Sequence, residues 1–227
     1  MIALCLTHAG HADANAYDKE YLRSLKRQPR DATEEIKGQL AWMRRNALVL
    51  VGGNWYFETP IILRIGSTSA ISLGRDEQGY LLLNLRMPST SGQPRARIEE
   101  NFFTVGRDHV SDVQCAARGR TIRIDYPNGD CFQHQYRDVE NEEELRGRYD
   151  RLVGPSSVSP LIEFPVTVVE VTERTANSRL EFGPTETKLA GAIMTGNWSI
   201  RNGTGIYLDV APEQEAALFA GSSDAGD

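Results

Sequence analysis

Ala47-Leu48-Val49-Leu50-Val51-Gly52-Gly53-Asn54-Trp55-Tyr56-Phe57 is the stretch on which the fold turns. Five apolar residues stop at a glycine pair, and an aromatic run follows at once. An apolar run this short, closed by a turn, fits a buried strand better than a helix of ten or more residues. The pattern continues downstream. Apolar or alternating runs at Ile61–Ile65, Ala70–Leu73, Leu81–Leu85, Ala96–Ile98, Asn101–Val105, Thr121–Asp125 and Cys131–Tyr136 are separated by turn residues. Asn128-Gly129, between an alternating run and an aromatic one, is a strong hairpin signal. Further runs follow at Phe164–Val171, Arg179–Phe182, Leu189–Met194, Trp198–Arg201 and Gly205–Val210. So many short strands give a mainly β protein, with an all-β domain over residues 47–210 built as a sandwich, a barrel or a stacked β-solenoid.

One echo bears on that choice. Gly53-Asn54-Trp55-Tyr56 returns as Gly196-Asn197-Trp198-Ser199. If these are equivalent layers of a β-solenoid (β-helix), Trp55 and Trp198 should occupy equivalent positions in stacked layers and the strands should pair mostly in parallel; in an antiparallel β-sandwich the two need not be related. Between the two copies, the polar stretch 138–150 reads as a surface helix or loop, and 151–160, rich in Ser and Pro, as a turn or linker. Residues 211–227 read as a flexible acidic tail or a frayed helix.

Upstream of Ala47 the period changes. Asp18 can cap a helix from Lys19 to about Arg27, which Pro29 ends. Thr33 can cap a second, with Ile36, Leu40 and Met43 at helical spacing up to Asn46. Residues 1–46 are thus expected as a short helical segment whose apolar stripes need a partner surface. Between Lys19 and Asn46 eight cations face four anions, although the whole chain carries a net charge of −6. Lys19, Arg23, Lys26, Arg27 and Arg30 could serve as a phosphate-contacting arm for DNA, or simply as solvated helix faces.

Composition narrows the classes. With 25% charged and 40% hydrophobic residues the chain is globular in type, and no apolar run approaches the ~20 residues of a membrane span. The first apolar run has no preceding cation and breaks off at Thr7-His8, so a secretion signal is not expected. Three cysteines, Cys5, Cys115 and Cys131, make no disulfide framework, which points to a reducing, cytoplasmic setting. Within the β domain, Asp76/Glu77, Glu99/Glu100, Asp125/Asp130, His109 and His134 are the titratable candidates. None comes with a nucleophile elbow or a phosphate loop, so the domain reads as a scaffold or binding module.

Chemistry concentrates near the start. Cys5-x-x-His8 and His11 place three potential metal ligands within seven residues, with His8 and His11 one helical turn apart. The bland alternative is a helix N-terminus carrying exposed histidines and a small thiol. The stretch Ile2-Ala3-Leu4-Cys5-Leu6-Thr7-His8-Ala9-Gly10-His11-Ala12-Asp13, followed by Tyr17-Asp18-Lys19-Glu20-Tyr21-Leu22-Arg23-Ser24-Leu25-Lys26, resembles the closing segment of HNH endonucleases. The resemblance implies a ββα-metal finger, a divalent ion (zinc or magnesium), and phosphodiester hydrolysis with a general-base histidine on a hairpin upstream. Ala9 stands where that family has its metal-binding second histidine, and the hairpin falls outside these 227 residues. The expectation is a truncated or degenerate HNH-like protein with a β-rich recognition domain and little or no metal-dependent DNA cleavage. The rival expectation is a non-catalytic β-solenoid interaction module.

Overall fold

The computed structural model describes residues 35–40, 44–116, 120–150, 160–176, 180–189 and 191–220. The chain enters as β1 (Glu35–Gln39), β2 (Ala47–Val51), β3 (Asn54–Phe57), β4 (Ile61–Ile65), β5 (Thr68–Arg75) and β6 (Leu81–Arg86). It continues through β7 (Arg97–Glu99), β8 (Phe102–Gly106), a 3-10 turn at Arg107–His109, β9 (Asp112–Cys115), β10 (Thr121–Asp125) and β11 (Cys131–Val139). Helix α1 (Glu142–Arg148) precedes β12 (Val166–Arg174), β13 (Leu180–Phe182), β14 (Thr187–Leu189), β15 (Ala192–Met194), β16 (Trp198–Ile200), β17 (Thr204–Leu208) and helix α2 (Pro212–Leu218).

These strands form two sheets. Sheet A runs β1-β8-β7-β6-β5-β4-β17, and sheet B runs β15-β14-β13-β12-β11-β10-β9. Sheet B forks at β12: its far end pairs with β13, while residues 167–171 pair with β2, which carries β3 and then β16. Alternation explains the core. In β6 Leu81, Leu83 and Leu85 point inward and Leu82, Asn84 and Arg86 outward; in β10 Ile122 and Ile124 point inward. The inward residues of both sheets belong to one hydrophobic cluster, so the sheets face each other across a shared core. A second cluster, built on Leu48, Trp55, Leu145 and Val168, seats α1 against the outer side of sheet B.

Three of the fifteen strand pairings among the described residues are parallel: β2 with β12, β3 with β16, and β4 with β17. The mostly parallel stacking of a solenoid is therefore not what these ladders show, because tight turns such as Asn128-Gly129 fold neighbouring strands back antiparallel. The Gly-Asn-Trp echo is nonetheless physical. Trp198 lies opposite Trp55 in register, and their rings stack at 5.4 Å. Gly196 N donates to Gly53 O at 2.8 Å, Trp55 N to Asn197 O at 2.7 Å, and Asn197 Nδ2 to Asn54 Oδ1 at 2.8 Å. Both copies then turn from sheet B into sheet A through a left-handed corner residue, Glu58 (φ 50°) and Arg201 (φ 55°), and these two form an ion pair. Two parallel straps thus cross between the sheets side by side.

The second expected helix is corrected: residues 35–39 are strand β1, on the edge of sheet A against β8. The β body therefore starts at least twelve residues before Ala47. A spacing of four, as between Ile36 and Leu40, returns to the same face of a helix and also of a strand, so it does not discriminate. Gly38 decides: a Cβ there would lie 2.3 Å from the Phe103 ring, so the strand lies flat over that ring. The first expected helix, 19–27, and most of the 151–160 linker lie outside the described residues. Helix α1 falls within the polar stretch, capped by the Asn141 side chain, which accepts from Glu144 N at 2.9 Å.

The described part of the acidic tail takes the helical alternative. Residues 212–218 form α2, with Leu218 and Phe219 packed on the core. The Glu215 carboxylate accepts from Ser67 N at 3.0 Å and from the Ser67 and Thr68 hydroxyls, both at 2.7 Å. These donors, the Ser67 amide foremost, pull its pKa down to about 2 from 4.5. A carboxyl lowered in the folded state stabilises fully above its unfolded pKa and loses that contribution as pH falls through the folded one. The melting temperature of Glu215→Gln should therefore lie below wild type at pH 6, with the gap closing between about pH 4.5 and 2. A gap that stays constant over that range would refute this role.

Candidate functional site

The sequence-derived site residues, Cys5, His8 and His11 for a metal and Lys19, Arg23, Lys26, Arg27 and Arg30 for nucleic acid, lie outside the described residues. Three cations from the same basic stretch are described, and all are engaged; Arg45 lies over the Tyr80 ring at 5.1 Å. Lys37 pairs with Glu35 at 2.8 Å. Arg44 forks onto Asp138 at 2.9–3.2 Å and reaches the Thr167 hydroxyl at 2.8 Å. Burial alone would raise the Asp138 pKa, but the hydrogen bonds from Arg44 and Thr167 outweigh it and hold the carboxyl below its ordinary value.

The densest chemistry among the described residues sits inside the core, at the end closed by the Asn128-Gly129 turn. Asp130 is fully buried and meets the equally buried Arg95 guanidinium at 2.7 Å. Asp130 also accepts from Ala176 N at 2.6 Å, while Arg95 donates to Ser91 Oγ at 2.6 Å and lies over the Tyr126 ring at 4.3 Å. The Tyr126 hydroxyl in turn accepts from Ala96 N at 2.7 Å. Beside them, Glu173 occupies an inward position of β12, between Phe132 and Phe182 in register. Its Oε1 accepts a long hydrogen bond from Thr175, 3.4 Å, and its Oε2 has no partner. Burial, reinforced by the negative charge of Asp130, raises its pKa to about 8.

His134 points into the same core from β11, with Ile122 and Val171 as cross-strand neighbours, and neither ring nitrogen has a partner. Burial lowers its pKa to about 4. Near neutral pH, Glu173 and His134 are both uncharged, and the only charges in the cluster are the Arg95–Asp130 pair. Two of the other titratable candidates serve structure. Asp76 Oδ1 accepts from Gln78 N and Tyr80 N in its turn, and Asp125 pairs with Arg123 on the outer side of sheet B at 2.8 Å. Asp125 and Asp130 therefore do not meet over one site.

A recess of about 210 Å³ opens where the first strap crosses between the sheets, lined by Ala47, Phe57, Glu58, Pro60, Leu73 and Arg75. Its charged groups are committed: Glu58 to Arg201, and Arg75 Nη1 to the carbonyls of Arg45 and Gly79, both at 2.8 Å. Among the described residues no three His, Cys, Asp or Glu side chains stand close enough to hold a metal ion. No family model, curated protein or solved structure matches the chain. The functional reading therefore rests on its own residues.

Sequence reading missed the Arg95–Asp130–Glu173 cluster. One signal was present: Val169, Val171 and Glu173 share one phase of an alternating run, which places the carboxyl inside. Nothing in the sequence pairs Arg95 with Asp130, 35 residues apart on different strands' turns.

Proposed function

We propose that this chain is an HNH-endonuclease-like protein whose nuclease motif is degenerate and whose β body is a non-catalytic recognition domain of sandwich type. The reading is carried by the motif itself: Cys5-x-x-His8 and Asp13, then a Tyr-led helical pattern to Lys26, at the spacing of that family's closing segment. The placement of β1 supports it. Eight residues separate Lys26, the last residue of the motif, from Glu35, the first residue of the edge strand of sheet A.

Ala9 cannot ligate a cation, and without the ion nothing offsets the charge that builds on a cleaved phosphodiester. The purified chain with Mg²⁺, Mn²⁺ or Ni²⁺ and supercoiled plasmid should nick no faster than buffer. Cleavage that His8→Ala or His11→Ala abolishes would overturn the degenerate reading. Ala9→His should raise the affinity for Zn²⁺ or Ni²⁺ at least about tenfold by titration calorimetry, as a restored ligand would. An unchanged affinity would remove the resemblance as a guide to this protein.

A further inference from the structure

The two straps carry one set of groups, and only the first strap has all of them engaged. There Gly53 O accepts from Gly196 N, Asn54 Oδ1 accepts from Asn197 Nδ2, Trp55 N donates to Asn197 O, and the Glu58 carboxylate takes Arg201. With the second strap laid against it, Trp55 is fully buried. The second strap repeats these groups one strand further out. β16 pairs with β3 alone, and β17, which follows it, is the last strand of sheet A. Among the described residues Gly196 O and Asn197 Oδ1 accept nothing, and Trp198 is only partly buried. Arg201 bonds through Nε alone and is 57% exposed.

The backbone of β16 is equally incomplete. Trp55 N bonds Asn197 O and Arg201 N bonds Phe57 O, so residues 197, 199 and 201 turn their polar backbone atoms toward β3. Trp198 and Ile200 turn theirs the other way, where no strand of the described residues stands. Edges that must stay unpaired are guarded by lysine, proline or inward-pointing charge. From Trp198 to Leu208 there is no lysine, proline or acidic residue, and the single cation, Arg201, sits at the corner. Stacked layers ordinarily end in a polar cap, whereas this pair ends on a second tryptophan.

We propose that this edge takes a third strand: an extended segment of a partner protein, parallel to β16, with asparagine before an aromatic residue and a carboxylate three residues after that. Backbone pairing supplies the affinity in such strand addition, and side chains supply the choice of partner. The asparagine and the aromatic follow from Asn197 and Trp198, which offer what Asn54 and Trp55 offer inside the molecule. The carboxylate follows from Arg201, whose two Nη atoms bond nothing. The proposal deepens, and rests on, the reading of the β body as a recognition domain. Plasmid nicking and metal affinity score the HNH-like motif separately, so either reading can fail without the other.

The probe is a synthetic peptide of residues 52–61, the first strap itself, labelled at its N-terminus and titrated with the full chain by fluorescence anisotropy. Saturable binding is expected. In the parallel register the probe's Tyr56 and Glu58 amides donate to Trp198 O and Ile200 O, while its Trp55 and Phe57 amides point away. N-methylation at Tyr56 and Glu58 should weaken binding at least about tenfold, two hydrogen bonds' worth, and N-methylation at Trp55 and Phe57 less than about twofold. Glu58→Lys in the probe should weaken it severalfold, most at low salt. In the protein, Ile200→Pro removes an N–H that bonds nothing inside the molecule, so it should abolish binding with the circular dichroism spectrum unchanged. If that variant fails to fold, the two N-methylated probes decide alone. A probe that does not bind overturns the proposal. So does equal damage from the two N-methylated probes, which means binding without strand pairing. Wild type that light scattering finds as a dimer, and that Ile200→Pro makes monomeric, also overturns it and gives the edge to a second copy of the chain.

Discussion

Glu173→Gln should make the protein more stable, and increasingly so as pH rises. The native carboxyl holds its proton to about pH 8, whereas in the unfolded chain it is lost near 4.5. Between those values the unfolded state alone releases a proton, so wild-type stability falls with rising pH and stays reduced above it. The full displacement corresponds to about 4–5 kcal/mol. Glutamine keeps the shape and does not ionise. Urea denaturation should show little difference between the two proteins at pH 4.5 and a gain of several kcal/mol for the variant by pH 8.5. His134 acts from the other side. Its pKa falls from 6.5 to about 4 on folding, so it withdraws about 3 kcal/mol as pH drops through that window and nothing above it. Between about 4.5 and 6.5 the two slopes oppose each other, and together they should leave a plateau there. A Glu173→Gln gain that does not vary with pH would refute the buried, protonated carboxyl.

Asp130→Ala should be among the most damaging single changes in the β body. It leaves the Arg95 guanidinium, 4% exposed, without its counter-ion and frees the Ala176 amide. Removing one member of such a pair typically costs about 3–5 kcal/mol, because the stranded charge stays in a medium that solvates it poorly. Replacing both, as Arg95→Met with Asp130→Ala, should recover much of that loss. The coupling read from a double-mutant cycle is the deciding quantity. Single variants that each lose less than about 1 kcal/mol would show that water reaches the pair after all.

Most strand positions were legible because alternation reports which side of a sheet a residue faces. Ala47–Val51, Ile61–Ile65 and Thr121–Asp125 agree with β2, β4 and β10 end to end. Residues 35–39 were read with the wrong period, since Ile36 and Leu40 satisfy both, and the short strand Asp112–Cys115 is too polar to announce itself. Which strands lie beside one another is another matter. Register between distant strands is set by packing in three dimensions, so the Arg95–Asp130 pair does not exist as a pattern along the chain. The tetrapeptide echo around Trp55 and Trp198 is the exception, because there the two copies meet each other. The HNH-like motif remains a matter of sequence, lying wholly before residue 35.

The paired straps also fix an order of events at the ribosome. Asn54 finds Asn197 across 143 residues of chain; β3 and β4 pair early with β2 and β5 on one edge, but their other edges and the stacked face of Trp55 must wait for partners translated far later. At ~5–20 residues per second that interval is about 7–30 s, during which the flanks of β3 and β4 present unpaired backbone and an uncovered indole. Local hairpins such as β5–β6 and β10–β11 close long before then. The nascent protein therefore passes through a half-built state with an open seam, which closes only once residues 197–208 have been made.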